Sequence, residues 1–238
     1  IDFVGGFEDI KNHRLRLIGD VETRYREDPV RMLRAIRFSA KLGFEIDEPS
    51  RTPIYTLGHL LQDIPAARLY EEVLKLFHSG HAVQSFELLQ EYDLLQYLFP
   101  EAAKSVGQDD SIRSMLNIAM QNTDDRIRND QRVTPAFLFA ALLWHPVNSR
   151  VTRLMDKGMP YSVAIQKTAT QVLSEQVKSV SIPKRFTTTM RDIWGLQTRF
   201  NYRTGKRALA VLEQAKFRAG YDFLCIRASS GEVSALSN

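Results

Sequence analysis

The sequence predicts a mainly α-helical, multi-helix protein with one short strand near its N-terminus. Three observations predict it. Apolar residues recur at three- and four-residue spacing through most of the 238 residues. Most prolines and glycines fall at the edges of those runs, where helices start and stop. Apolar alternation is confined to Arg14–Ile18, behind the turn signal Gly5-Gly6.

Taken in order, residues 7–12 read as a short helix and 14–18 as a strand. That stretch is the only place where strand is expected, and alone it would leave an unpaired edge. The next helix has a hard start. Asp28 sits where an N-cap belongs and Pro29 suits the first helical position. Gly43 reads as its left-handed stop. Val30, Leu33, Ile36 and Ala40 share an apolar side, while Arg31, Arg34, Arg37 and Lys41 recur on a neighbouring side. A short helix is expected at 54–61. Pro65 opens another, with Leu69, Val73, Leu76 and Phe77 on one side and Gly80 beyond its end. Residues 82–92 repeat the pattern. Leu94-Leu95 and Leu98-Phe99 make a turn stopped at Pro100, and 112–120 reads as helix. Residues 136–144 are nearly all apolar and read as a buried helix broken by Pro146. Residues 161–177 follow Pro160. Pro183 opens a region with Phe186, Met190, Ile193, Trp194 and Leu196 as an apolar stripe. A last helix is expected from 205 or 206 to 217.

A hydrophobic fraction of 44% with 25% charged residues belongs to a soluble globular chain, one large or two small domains. No window has the apolar length of a membrane span, and no signal peptide is visible. Cys225 is alone, so no intrachain disulfide can form, and a cytoplasmic setting is expected. The net charge of +4 hides an asymmetry. Residues 63–110 carry nine acids against three bases, whereas 184–218 carry nine bases against two acids. The basic part is expected to meet a polyanion.

Two constellations carry chemistry. Asp28 and Arg31, one helical turn apart, set a carboxylate acceptor beside a planar fork of donors, which suits a nucleobase edge. The alternative, a solvated cationic helix face with an ordinary cap, stays open. Glu27 can oppose the helix macrodipole. In the basic part, Phe200, Tyr202, Phe217 and Tyr221 interleave with cations, so rings could stack on single-stranded RNA bases while Arg and Lys follow its backbone. Each aromatic taken singly reads equally as core. Arg203, Lys206 and Arg207, beside Thr204-Gly205, are the bases expected to touch phosphate. His78-Ser79-Gly80-His81 crosses a helix stop and has no Cys partner, so no metal site is expected. No Ser/His/Asp or Cys/His nucleophile can be assembled from spacing alone.

Glu27-Asp28-x-x-Arg31 followed by Met32-Leu33-Arg34-Ala35-Ile36-Arg37-Phe38, then Leu42-Gly43-Phe44, resembles the template helix of the class II nucleotidyltransferases. These are the bacterial poly(A) polymerases and the CCA-adding enzymes. Gly5-Gly6-Phe7-Glu8-Asp9, Arg68 to Phe77 and Leu98-Phe99-Pro100-Glu101 fit the same family. Lys184-Arg185-Phe186-Thr187, Arg191-Asp192-Ile193-Trp194 and Gly205-Lys206-Arg207-Ala208 are similar to poly(A) polymerase rather than to a CCA-adding enzyme. The resemblance covers nearly the whole chain and is weakest over 106–133.

The resemblance implies the carboxy-terminal portion of an enzyme that adds AMP from ATP to RNA 3′ ends. It implies an elongated neck, body and tail, with 1–20 as the end of the head domain, its strand a remnant of the catalytic sheet. The neck would be 21–105, and 106–238 an RNA-binding body and tail. Asp28 and Arg31 would read the adenine, Glu27 would hold them, and Arg34 and Arg37 would assist at phosphate or brace the helix. Lys184, Arg185, Arg203, Lys206 and Arg207 would bind RNA. In this family an Asp-x-Asp pair in the head holds the metals, and this sequence contains none. Mg2+ is therefore expected on the head, ATP as the substrate, and no turnover from this chain alone. CCA addition, or a non-catalytic RNA-binding module, are the other readings.

Overall fold

The computed structural model describes residues 2–232, and readings that touch residue 1 or 233–238 lie outside the described residues. Among the described residues the chain forms fifteen α-helices, two 3-10 turns and two strands of two residues. The mainly helical class follows as expected.

Helix α1 (Gly6–Lys11) leads into β1 (Arg14–Leu15). The strand is not left with a bare edge. It pairs in parallel with β2 (Glu45–Ile46), with Arg14 opposite Glu45 and Leu15 opposite Ile46. Strand was not expected at 45–46. Gly43 explains it: at φ 65° it reverses the chain after the intervening helix and returns it beside His13 and Leu15. Backbone bonds of 3.0 Å from Glu45 to His13 and from Asp47 to Leu15 close the pair.

Between the strands lie α2 (Val21–Glu27) and α3 (Val30–Leu42). Val30, Leu33, Ile36 and Ala40 are buried as their spacing demands, joined by Met32. Helix α4 (Glu48–Leu57) and a 3-10 turn (Gly58–Asp63) replace the expected helix at 54–61. Its start is set by Asp47, whose carboxylate accepts from the Ser50 amide at 3.3 Å, a cap worth about 1 kcal/mol.

Helices α5 (Ala66–Phe77) and α6 (Ala82–Glu91) match expectation. Pro100 stops the turn of α7 (Leu95–Leu98) and also opens α8 (Pro100–Val106), where its missing N–H costs nothing. Helix α9 (Asp110–Arg128) far exceeds the expected 112–120; its earlier start is set by Asp109, which caps it through the Ser111 amide at 2.8 Å. Helix α10 (Pro135–Leu142) is almost entirely buried. Pro146 is not a breaker: it sits in the first turn of α11 (Trp144–Met155), where amides have no intrahelical acceptor anyway.

Helices α12 (Tyr161–Gln176) and α13 (Lys184–Leu196) begin after Pro160 and Pro183. A 3-10 turn (Arg199–Asn201) follows. The single helix expected to reach Phe217 is two: α14 (Gly205–Leu212) and α15 (Phe217–Ser229), parted by residues 213–216. Phe217 starts the second because its ring stacks on Tyr221 one turn on, 6.0 Å away, with Phe200 edge-on to both. Gly220 lets α15 approach α13, since a Cβ there would meet Leu196 Cδ1 at 2.8 Å.

One buried apolar cluster runs from Tyr25 to Ile226. Trp194 is fully buried, its indole N–H donating to the Ala140 carbonyl at 3.1 Å. Arg227, also buried, lies 4.4 Å over the Trp144 ring and donates to Gln197 and Glu232. These contacts fix α15 to α10–α13, and so fix where the basic surface lies.

Candidate nucleotide site and RNA-binding surface

Glu27 ends α2, and Asp28 takes an extended conformation, φ −149° and ψ 91°. Pro29 is already helical at φ −57°, so the expected hard turn is present. The expected carboxylate cap is not. No side chain caps α3, because the Asp28 carboxylate is drawn away to α5: Arg68 Nη2 donates to its Oδ2 at 2.9 Å. The other oxygen, Oδ1, is buried and has no hydrogen-bond partner.

Arg31 points back to α2. Its Nη1 donates to the Arg24 carbonyl at 2.8 Å and to Glu27 Oε2 at 3.0 Å. Arg24 donates to the same Glu27 oxygen at 3.0 Å. The hydrogen bond from Arg31, assisted by the charges of both arginines, holds the Glu27 carboxyl below its ordinary range. Glu27 therefore orients Arg31, beyond any effect on the macrodipole. The side chains of Asp28 and Arg31 are not bonded to one another; the two residues are joined only by the Arg31 amide donating to the Asp28 carbonyl at 3.0 Å.

Beside this triad a pocket of about 360 Å³ opens between the β1 segment and α3. Leu15, Tyr25, Phe38 and Ile46 give it apolar walls, and Arg16, Arg24, Arg31 and Arg34 bring four guanidinium groups to it. Tyr25 is locked by donating to the Ser50 carbonyl at 3.0 Å, and burial pushes its phenol well above the usual range. Arg34 is exposed on this pocket. Arg37 does not line it: its guanidinium lies 4.8 Å over the Phe38 ring. Arg16 and Arg68 were missed as site residues. Arg16 looks like one position of an alternating strand, and Arg68 meets Asp28 across 40 residues. Only the pairing of distant elements brings either to the site.

The five cations expected to bind RNA are all exposed, but they are not one cluster. Lys184 lines a groove between α12 and α13. Arg185 sits 4.8 Å over Phe186 and also acts on Tyr70 of α5. Arg207 lies 5.4 Å over the Tyr202 ring, and Lys206 precedes it on α14. Of the interleaved aromatics, Tyr202 and Tyr221 remain exposed, whereas Phe200 and Phe217 are half-buried.

His78, the residue after α5, is half-buried, with both ring nitrogens shielded from solvent and neither hydrogen-bonded, and burial pushes its pKa down. Cys225 is half-buried. Among the described residues no group of three or more His, Cys, Asp or Glu could hold a metal ion. Among the same residues no helix is long and apolar enough to cross a membrane.

Residues 43–105 match the family described as "Probable RNA and SrmB-binding site of polymerase A", and residues 157–238 match "Polymerase A arginine-rich C-terminus". The chain is 49% identical over 230 residues to poly(A) polymerase I of Escherichia coli O6:H1, covering 95% of this chain and 50% of that protein. It is 42% identical over 241 residues to poly(A) polymerase I of Haemophilus influenzae, covering 99% and 53%. The chain thus spans about half the length of the curated relatives it matches. In fold it is similar to the Thermotoga maritima CCA-adding enzyme solved with tRNA, with a TM-score of 0.64 at 19% identity, covering 100% of this chain and 54% of that one.

Proposed function

The chain belongs to the bacterial poly(A) polymerase family, and on that premise we propose that it is the base-reading and RNA-binding part of a polynucleotide adenylyltransferase. In the reaction, the 3′-oxygen of RNA attacks the α-phosphorus of ATP. A P–O bond forms, the α–β phosphoanhydride breaks, pyrophosphate leaves, and the 3′-hydroxyl proton passes to a base that this chain does not supply. Magnesium, held by the part of the enzyme with the Asp-x-Asp pair, would activate that oxygen and steady the phosphates.

This chain's own residues choose the nucleotide. The observation that carries the reading is the bare Oδ1 of Asp28. A buried carboxylate oxygen without a donor costs about 1–3 kcal/mol or more. The N6 amino group of adenine is a donor that would relieve it. Both Arg31 contacts use Nη1, so Nη2 can donate to adenine N1 while Glu27 keeps the fork in place. Arg34, beside Arg16 and Arg24 on the pocket, offers phosphate contact. Arg37 braces the helix through Phe38.

RNA then lies along the basic surface, where Lys184, Arg185, Arg203, Lys206 and Arg207 neutralise phosphates. The segments 1–20, 21–105 and 106–238 act as head end, neck, and body with tail. The setting is the cytoplasm, in RNA 3′-end processing and decay. CCA addition is the second reading, supported by the shared fold. Extension of an oligo(A) primer by the parent protein, with ATP and CTP in parallel, separates the two. AMP addition in long runs supports adenylation, and two CMPs followed by one AMP overturns it.

A further inference from the structure

We propose that single-stranded RNA follows one continuous path through three linked grooves, the last of them walled by α9 and residues 129–134, outside both matched family regions. The proposal rests on the reading above that this chain binds RNA. The first groove, about 340 Å³, lies between α12 and α13, with Lys184 and Arg191 on it. The second, about 880 Å³, continues along α12 and α13 to the 3-10 turn, with Arg191, Arg199, Tyr202 and Lys216. The third, about 690 Å³, runs between α9 and α15, with Arg126, Arg132, Lys216 and Arg218.

The grooves abut, since neighbouring ones share wall residues, and Arg191 Nη1 donates to Thr170 Oγ1 at 3.0 Å where the first meets the second. Thr170 and Arg191 line both the first and the second, and Ala215 and Lys216 line both the second and the third. Residues 213–216, which part α14 from α15, are therefore a saddle with Lys216 on it. This is a functional reason for a break that helical periodicity hid.

The electrostatics fit a polyanion. Acids on the path are few and partly spent: Asp222 takes Arg218 at 2.9 Å, and Asp125 takes Arg128 at 2.6 Å. The side chains of Arg132, Arg199 and Lys216 have no hydrogen-bond or ion-pair partner among the described residues. One uncommitted cation thus stands in the second groove, one on the saddle and one in the third. Concave walls focus such a field. The Tyr202 ring, 47% exposed in the second groove, is a surface on which a base can stack. Gln166, Thr170 and Gln214 beside it offer hydrogen bonds to sugar or base edges without demanding a sequence.

The test uses this 238-residue chain and a fluorescent 20-nucleotide oligo(A) in anisotropy titrations over a salt series. The path variant is Arg132→Gln/Arg199→Gln/Lys216→Gln. The charge-matched control is Lys11→Gln/Lys41→Gln/Lys157→Gln, all exposed and off the grooves. Each phosphate contact on a single strand contributes about −0.7 to the slope of log affinity against log salt. The path variant is expected to lose about 2 units of slope and more than tenfold in affinity near 0.1 M salt. The control keeps its slope, and Tyr202→Ala weakens binding without changing the slope. Equal losses from path variant and control would mean that only net charge matters, and overturn the path while RNA binding stands. No binding by the unmodified chain removes the RNA reading and the path together. Should the path variant not fold, photocrosslinking the unmodified chain to 4-thiouridine RNA decides. Crosslinks on 126–134 and 191–216 support the path, and crosslinks confined to other surfaces reject it.

Discussion

Arg68 on α5 reaches Asp28, 40 residues earlier, through a 2.9 Å ion pair that leaves the second carboxylate oxygen bare. The pair is partly exposed, so its own stabilisation is about 0–1 kcal/mol. Its value is in aim. Arg68→Met in the parent enzyme is expected to raise KM for ATP several-fold with little change in Tm. Steady-state kinetics beside a thermal melt checks this, and an unchanged KM would leave Arg68 with no part in nucleotide binding.

His78 gives a pH signature. Burial lowers its folded pKa below the unfolded value of about 6.5, so the unfolded chain binds the extra proton. Its contribution is fully present above pH ~6.5 and is lost as pH falls through the folded value. Stability is therefore expected to fall as pH drops below about 6.5. His78→Met should flatten that fall and stabilise by about 1 kcal/mol, since both ring nitrogens are unpartnered. Denaturant melts at pH 7.5 and 5.5 measure it, and parallel pH dependences for the two proteins refute it.

The C-terminal cations make a sequence-blind prediction. Arg203→Gln/Lys206→Gln/Arg207→Gln should weaken binding of oligo(A) and oligo(U) alike and flatten both salt slopes, because phosphate contacts carry no base information. A loss confined to oligo(A) would show that these residues read bases.

The 238-residue chain alone is expected to incorporate no labelled ATP into an RNA primer with magnesium or manganese, because it contains no Asp-x-Asp pair. Turnover above a heat-killed control would falsify this.

What the sequence displayed was local. The apolar face of α3, the stop at Gly43 and the starts after Pro65, Pro160 and Pro183 were all readable, because each is set by residues within one or two turns. What it hid depends on partners far along the chain or on which end of a helix a residue serves. Strand β2 is a strand only because β1 lies beside it. Pro146 read as a stop but sits in the first turn of a helix, and Pro100 is a stop for α7 and also the start of α8, since a proline alone does not say which side of it is helical. Asp28 was read as a cap because that is the nearest use for its carboxylate, and Arg68 outcompetes it from another helix. The pairing of Glu27 with Arg31 was in reach, being an i, i+4 pair across the start of α3.

The central claim, that the turn into α3 selects the nucleotide, is tested most directly by kcat/KM for AMP addition in the parent enzyme. Arg31→Ala and Lys41→Ala each remove one cation from the same helix, about three turns apart. Loss of a charge-assisted hydrogen bond costs about 1.5–3 kcal/mol, so Arg31→Ala should lower kcat/KM for ATP by about tenfold to a hundredfold. Lys41→Ala should leave it unchanged within about twofold, given that most exposed charges contribute little. Equal, small effects from the two substitutions would contradict the claim and return Arg31 to a solvated helix face.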